Sequence, residues 1–269
     1  MNVRRYRGYF ALAILALLSL AFLLPGCGGD GASVVLAASN DLEGSGILEA
    51  WSEGFQSSSG ERLELLVVPD RQALEMARHG ECDVVLTHYY EEEARLERLG
   101  YVEGMAEIMR EDYVLVGPPQ DPAGVNEAEN ITDALKRIAE TGQTFILRID
   151  GSGTAIRSSA LWSASGASVV GEWILPTEAG AEEVLRETSL EGAYTLSGRS
   201  VYERLESEVD LEVLFEDEEA LADLYRTAAV STVVFPDTNL DGAREFIAYL
   251  LSPEAREFLR LGVWELPAE

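Results

Sequence analysis

The chain has 269 residues, 47% of them hydrophobic, which suffices for one large or two modest globular domains and excludes a disordered polymer. It carries 48 acidic residues against 20 basic ones, for a formal net charge of −28, and Lys136 is the single lysine. A field of that sign repels nucleic acid and anionic head groups, so any anion must be captured locally.

Arg4, Arg5 and Arg7 precede an apolar run from Gly8 to Leu24, shorter than the roughly 20 residues that a spanning helix needs. The run ends in LLPGC, which resembles the lipobox of bacterial lipoprotein signals, although Pro25 departs from the small residue usual there. The resemblance implies a signal peptide over 1–26, lipidation at Cys27 and a short tether over 27–32. An uncleaved membrane anchor is the alternative, and both place the remaining chain outside the cytoplasm. The first 26 residues hold three of the 20 basic residues and none of the acidic ones, so the chain from Cys27 carries −31. A surface this acidic and lysine-poor suits high salt. If Cys27 carries lipid, Cys82 has no disulfide partner and reads as a small buried hydrophobe.

SVVLAAS (33–39) predicts a buried strand, and Ile47, Leu48, Trp51 and Phe55 then fall on one helical face. RLELLVV predicts a strand, DRQALEMARHG a helix, DVVLTH a strand and EEEARLERLGY a helix. This alternation argues for an α/β sheet with crossover helices. DYVLVG predicts another strand, and PPQDPAGVNEAEN (118–130) is the candidate domain crossing. A second α/β unit follows: a helix over ITDALKRIAETG, the strand TFILRI, a helix from Thr154 to Ser165, and a helix over GAEEVLRET. GAYTLSGRSVYERL reads as strand, turn and helix, LEVLF as a strand, AAVSTVVF as the returning strand, and the C-terminal residues as two helices.

EGSGIL (43–48) and DGSGTA (150–155) each follow a buried strand and open a helix, one in each half. Helix N-termini beyond the carboxyl ends of strands favour anions, so two such loops can face each other across a ligand cleft.

From about Val34 onward, these features resemble the tungstate-binding components of ABC importers, relatives of molybdate- and sulfate-binding periplasmic proteins. The resemblance rests on DVVLTHYYEEEARLERLGY, DYVLVGPPQDPAG, LRIDGSGT and AYTLSGRSVY, in order along the chain. It implies an α/β, two-lobed periplasmic-binding-protein fold of type II, each lobe a mixed sheet flanked by helices, joined by two crossover strands. Lobe I is expected over 33–117 and 230–269, and lobe II over 118–229. Carried over residue by residue, the ligand set is Arg148, Ser152, Gly153, Thr154 and Arg199, with Asp150 in the same loop and Ser39 and Asn40 across the cleft. Asp41, His88, Glu178 and Thr195 are secondary candidates. Arg148 would neutralise the oxyanion while fixed donors surround it; alternatively, Arg148 caps an interdomain carboxylate.

This chain departs from the family at the first loop, where four hydroxyl residues become Ala38, Ser39, Asn40 and Asp41. Asp41 opposes a dianion if it faces the cleft without a proton or an arginine partner. Ala155 stands where the family has His, and Ile174 where it has Tyr. The expected function is an extracytoplasmic lipoprotein that captures tungstate, or next molybdate, for an ABC permease and ATPase. It is expected to be a monomer and no enzyme, with no cofactor, metal site or nucleic-acid partner. Neither G-x-S-x-G nor G-x-x-x-x-G-K-[ST] occurs. The rival is a binding or sensory lipoprotein on the same scaffold, with an organic acid or a cation as ligand.

Overall fold

Three parallel strands and the helices that follow them form the first lobe in a computed structural model, which describes residues 33–261 and 264–267. The expected signal, Cys27 and the tether lie outside the described residues. Strand β1 (Ser33–Ser39) lies between β2 (Arg62–Val68) and β3 (Val84–Thr87), and pairs in parallel with both. Val34, Leu36, Ala37 and Ala38 are fully buried, as a parallel strand covered on both faces requires. Helices α1 (Ile47–Ser59), α2 (Asp70–His79) and α3 (Tyr90–Arg98) supply the crossovers. Ile47, Leu48, Trp51 and Phe55 turn one face of α1 inward, and Phe55 meets Phe246 edge to face.

Strand β4 (Val102–Gly117) serves both lobes. Its first part pairs antiparallel with β9 (Ala222–Val230), from Val102↔Val230 to Asp112↔Ala222. Its second part, from Tyr113, pairs with β7 (Thr195–Gly198) and β8 (Glu212–Glu216). The two chain crossings therefore sit side by side, at Asp112–Tyr113 and before Ala222. This moves both expected boundaries. Tyr113 and Leu115, expected in lobe I, belong to the second lobe's core with Ala123 and Val125. Tyr225, in a segment assigned to lobe II, packs in the first lobe's core with Leu36 and Trp51. Because β4 is common to both, its pairings link the strands of the two lobes into one seven-stranded sheet.

In the second lobe, β5 (Phe145–Arg148) pairs in parallel with β6 (Ile174–Thr177). Helices α4 (Ile131–Thr141), α5 (Gly153–Ser165), α6 (Ala181–Glu191) and α7 (Arg199–Leu205) flank it. Phe145, Trp162 and Tyr194 fill the centre of its core. Helices α8 (Leu240–Leu250) and α9 (Pro253–Glu257) return to the first lobe, where Phe246 and Ala255 are fully buried. Cys82 is buried next to β3, and burial pushes its thiol up to about 12, as expected of an inert packing residue.

Candidate functional site

The candidate site lies where the parallel strands end. Register pairs Ser39 with Val68 and Ala38 with Leu86. Two residues further along each chain come Asp41, Asp70 and His88, so the three adjacent strand ends deliver these side chains to one place. Open α/β sheets put their ligands beyond strand carboxyl ends for this reason. Opposite them, β5 ends in Arg148 and the Asp150–Thr154 loop opens α5. Gly151 takes the left-handed conformation (φ 84°) that the turn demands. Ser152 caps α5, its hydroxyl accepting from the Ala155 N–H.

Three carboxylates fill the space between these loops. Arg148 Nη1 donates to Asp41 Oδ1 and Nη2 to Asp150 Oδ2, both at 2.5 Å, and the arginine is 3% exposed. Thr154 gives Asp41 Oδ2 two further bonds, from its N–H at 3.0 Å and its hydroxyl at 2.7 Å. Gly153 N–H donates to Asp70 Oδ2 at 2.8 Å, and Ser39 Oγ to the same oxygen at 2.7 Å. Asn40 Nδ2 reaches Asp150 Oδ2 at 3.2 Å, and Ser152 Oγ donates to Asp150 Oδ1 at 2.9 Å. The lobes also meet where Arg71 N–H donates to Gly151 O and Arg204 Nη2 to Glu43 O.

Burial alone would raise the pKa of Asp41, but Arg148 and then His88 outweigh it and hold this carboxyl well below the ordinary carboxylate range. Arg148 is likewise held above its ordinary value: burial opposes its charge, and Asp41 and Asp150 more than compensate. The charge of Asp41 is thus answered by one guanidinium, one backbone N–H and one hydroxyl.

His88 lies deeper. Its ring stacks on Tyr225 with centroids 4.2 Å apart, and Nδ1 meets Asp223 Oδ2 at 2.6 Å. Gly153 passes over the ring so closely that any side chain there would collide with Nε2. Burial disfavours the imidazolium, yet Asp223 and Asp70 hold its pKa well above the ordinary value.

The structure thus brings Ser39, Asn40, Asp41, His88, Arg148, Asp150, Ser152, Gly153 and Thr154 together. Two expected members are elsewhere. Arg199 binds Asp112 through Nε and Nη2, at 2.8 and 2.7 Å, and also pairs with Glu216, so these carboxylates at the lobe crossing hold it and it does not join Arg148. Glu178 is exposed and takes no part in the network. Thr195 is buried beside Arg148, but its hydroxyl donates to Ile146 O at 2.9 Å and ties β7 to β5. Sequence reasoning missed Asp70 and Asp223. Asp70 directly follows a proline at a helix start, which was a legible signal, whereas Asp223 lies ahead of the AAVSTVVF stretch from which the returning strand is read.

A family model of the PBP superfamily domain matches residues 29–254. A putative ABC transporter anion-binding protein of Haloferax volcanii is 31% identical over 238 residues, covering 86% of this chain and 70% of that protein. The tungstate-binding protein TupA of Peptoclostridium acidaminophilum is 28% identical over 260 residues, 91% of each. Among solved structures, the tungstate ABC transporter from Geobacter sulfurreducens has a TM-score of 0.75 at 30% identity, covering 85% of this chain and 97% of that one. With two α/β lobes joined by two crossing strands and a match over most of its length, the chain belongs to the PBP superfamily, in its type II periplasmic-binding-protein form.

Proposed function

We propose that the protein is the extracytoplasmic substrate-binding component of an ABC importer, anchored by lipid on Cys27, which captures tungstate, or next molybdate, between its lobes. One observation carries this reading. Arg148, the Thr154 N–H and the Thr154 hydroxyl converge on a single anionic group, the Asp41 carboxylate. A cationic fork and fixed donors at the start of a 13-residue helix suit a tetrahedral dianion, which offers only acceptors. The relatives described as tungstate- or anion-binding proteins support the same class of ligand. Hydrolysis of ATP then belongs to partner subunits, with this chain a monomeric receptor and no enzyme.

Asp41 is, in this reading, a tethered competitor. It takes Arg148 and Thr154 at the high effective concentration of an intramolecular group, and an entering oxyanion must displace it. Because the same donors hold a monocarboxylate here, a small organic acid is the second reading.

Calorimetric titration of the chain from Ser33 with tungstate, molybdate, sulfate, phosphate and small carboxylic acids separates these readings. Binding of tungstate is expected, and Asp41→Ser should strengthen it by removing the competitor. Silence with every oxyanion alongside heat from a carboxylic acid would move the assignment to the second reading.

A further inference from the structure

We infer that Asp41, Asp70 and His88 form a mononuclear site for a divalent transition-metal cation of the zinc type, on the first lobe's side of the cleft. No such site is legible in the sequence, because its ligands lie far apart along the chain and follow none of the usual Cys/His spacings. Parallel strand register assembles them.

Geometry supports a cation first. His88 Nε2 is 3.1 Å from Asp41 Oδ2 and 3.5 Å from Asp70 Oδ1, and one donor atom from each residue lies within 4.8 Å of the others. A tetrahedral zinc ion with bonds of about 2.0–2.1 Å spaces its ligand atoms by roughly 3.3 Å, so the site needs little rearrangement.

The second observation is the histidine itself. Nε2 is buried without a hydrogen-bond partner, on a side chain with no exposure, although two carboxylate oxygens flank it. Its other nitrogen, Nδ1, is fixed by Asp223 at 2.6 Å. Metal-bound histidines commonly have this arrangement, since a carboxylate on the far nitrogen sets the tautomer and orients the ring. Tyr225 on one face and Gly153 on the other keep the ring from turning.

Charge points the same way. Asp41, Asp70 and Asp223 are buried and Asp150 is half-buried, so these four carboxylates outnumber the Arg148 guanidinium and the His88 ring that face them. Buried carboxylates need compensating charge, and a dication supplies it at the place where Nε2 and two oxygens converge. A nitrogen and two oxygens with no thiolate suit zinc, cobalt or manganese and disfavour copper(I). Asp41 Oδ2 also accepts from Thr154, so the cation competes with that contact to the second lobe. The inference shares Asp41 with the oxyanion reading but needs neither the Arg148 guanidinium nor the Thr154 donors that carry that reading.

The test uses the chelator-stripped chain from Ser33, titrated with Co²⁺ and then Zn²⁺, followed by visible absorption and calorimetry. One tight site is expected, with the intense d–d bands of four-coordinate Co²⁺, bleached by Zn²⁺. Asp223→Asn should weaken it by about 10–100-fold, the usual effect of losing an orienting partner, and His88→Gln by more. His79→Gln, changing the exposed histidine of α2, should leave it intact. X-ray absorption of the Zn²⁺-loaded parent gives a reading that no variant can spoil: a shell of nitrogen and oxygen with imidazole scattering is expected. Weak binding at many sites with a six-coordinate cobalt spectrum, or equal losses in His79→Gln and His88→Gln, would overturn the inference and assign Nε2 to a proton between carboxylates.

Discussion

Arg148 joins a first-lobe carboxylate, Asp41, to a second-lobe one, Asp150, in a place nearly closed to water. Removing one partner of a buried pair leaves uncompensated charge, so Arg148→Ala should lower stability by about 3–5 kcal/mol in urea unfolding. That differs from the expectation of a residue serving ligand alone, whose loss the fold would tolerate. Arg148→Lys should recover only part, because an ammonium cannot meet two carboxylates with a planar fork. Arg199 makes a contrasting case. It is 24% exposed and bound to Asp112 and Glu216, so Arg199→Ala should change oxyanion affinity by less than about twofold while costing about 1 kcal/mol of stability. A large loss of affinity in Arg199→Ala would restore it to the ligand site. Motif order along the chain identified the Arg148 loop and flagged Asp41, since one acid replacing a hydroxyl is visible in a sequence. It could not show that the acid and the arginine answer each other, because that pairing spans 107 residues.

At the scale of elements, the strands and helices with clean periodicity were legible, and those with polar residues facing inward were not. β4 was read only from Asp112, because its first half, VEGMAEIMRE, carries Gly104 at φ 68° and two register shifts that break the alternation. β9 turns Asp223, Tyr225 and Thr227 inward, so its buried face reads as polar and the sequence places the strand several residues late. These two strands form the passage between lobes, and Glu111 lies in it, 6% exposed. Burial, then Asp223, push the Glu111 carboxyl up to about 7, against the opposing effects of Ser200 and His88. An acid whose folded pKa exceeds its unfolded one binds a proton on folding, so its contribution to stability falls as pH rises from about 4.5 to about 7. Glu111→Gln removes the charge and can keep an amide oxygen for the Ser200 N–H while its NH2 donates to the Tyr225 hydroxyl oxygen. Its melting temperature relative to the parent should climb across that window and level off above it, by an amount worth up to about 3 kcal/mol. A difference independent of pH would show that Glu111 does not titrate there.

For the whole molecule, charge is the dominant fact. The net −28 implies self-repulsion that added ions screen, with the Debye length falling to about 3 Å at 1 M salt. The melting temperature should therefore rise between low and molar salt; a flat or falling curve would contradict the reading of an acidic surface adapted to salt. Export is tested apart from the fold. Cys27→Ser should leave an uncleaved precursor or release the chain from the membrane, and a mature N-terminus downstream of Cys27 by mass spectrometry would refute lipidation. The two-lobed class was legible because repeated strand–helix units and two matching loops survive any surface drift. The position of the crossings was not, because it depends on which strands pair. The central claim is that the donors now holding Asp41 serve a tetrahedral oxyanion, and calorimetric titration of tungstate into the parent and Arg148→Ala tests it most directly. The account predicts binding to the parent and a loss of roughly a hundredfold or more in the variant, a few kcal/mol of ion contact. Equal affinity in the two proteins, or no binding by a parent from which Asp41 has also been removed, would contradict it.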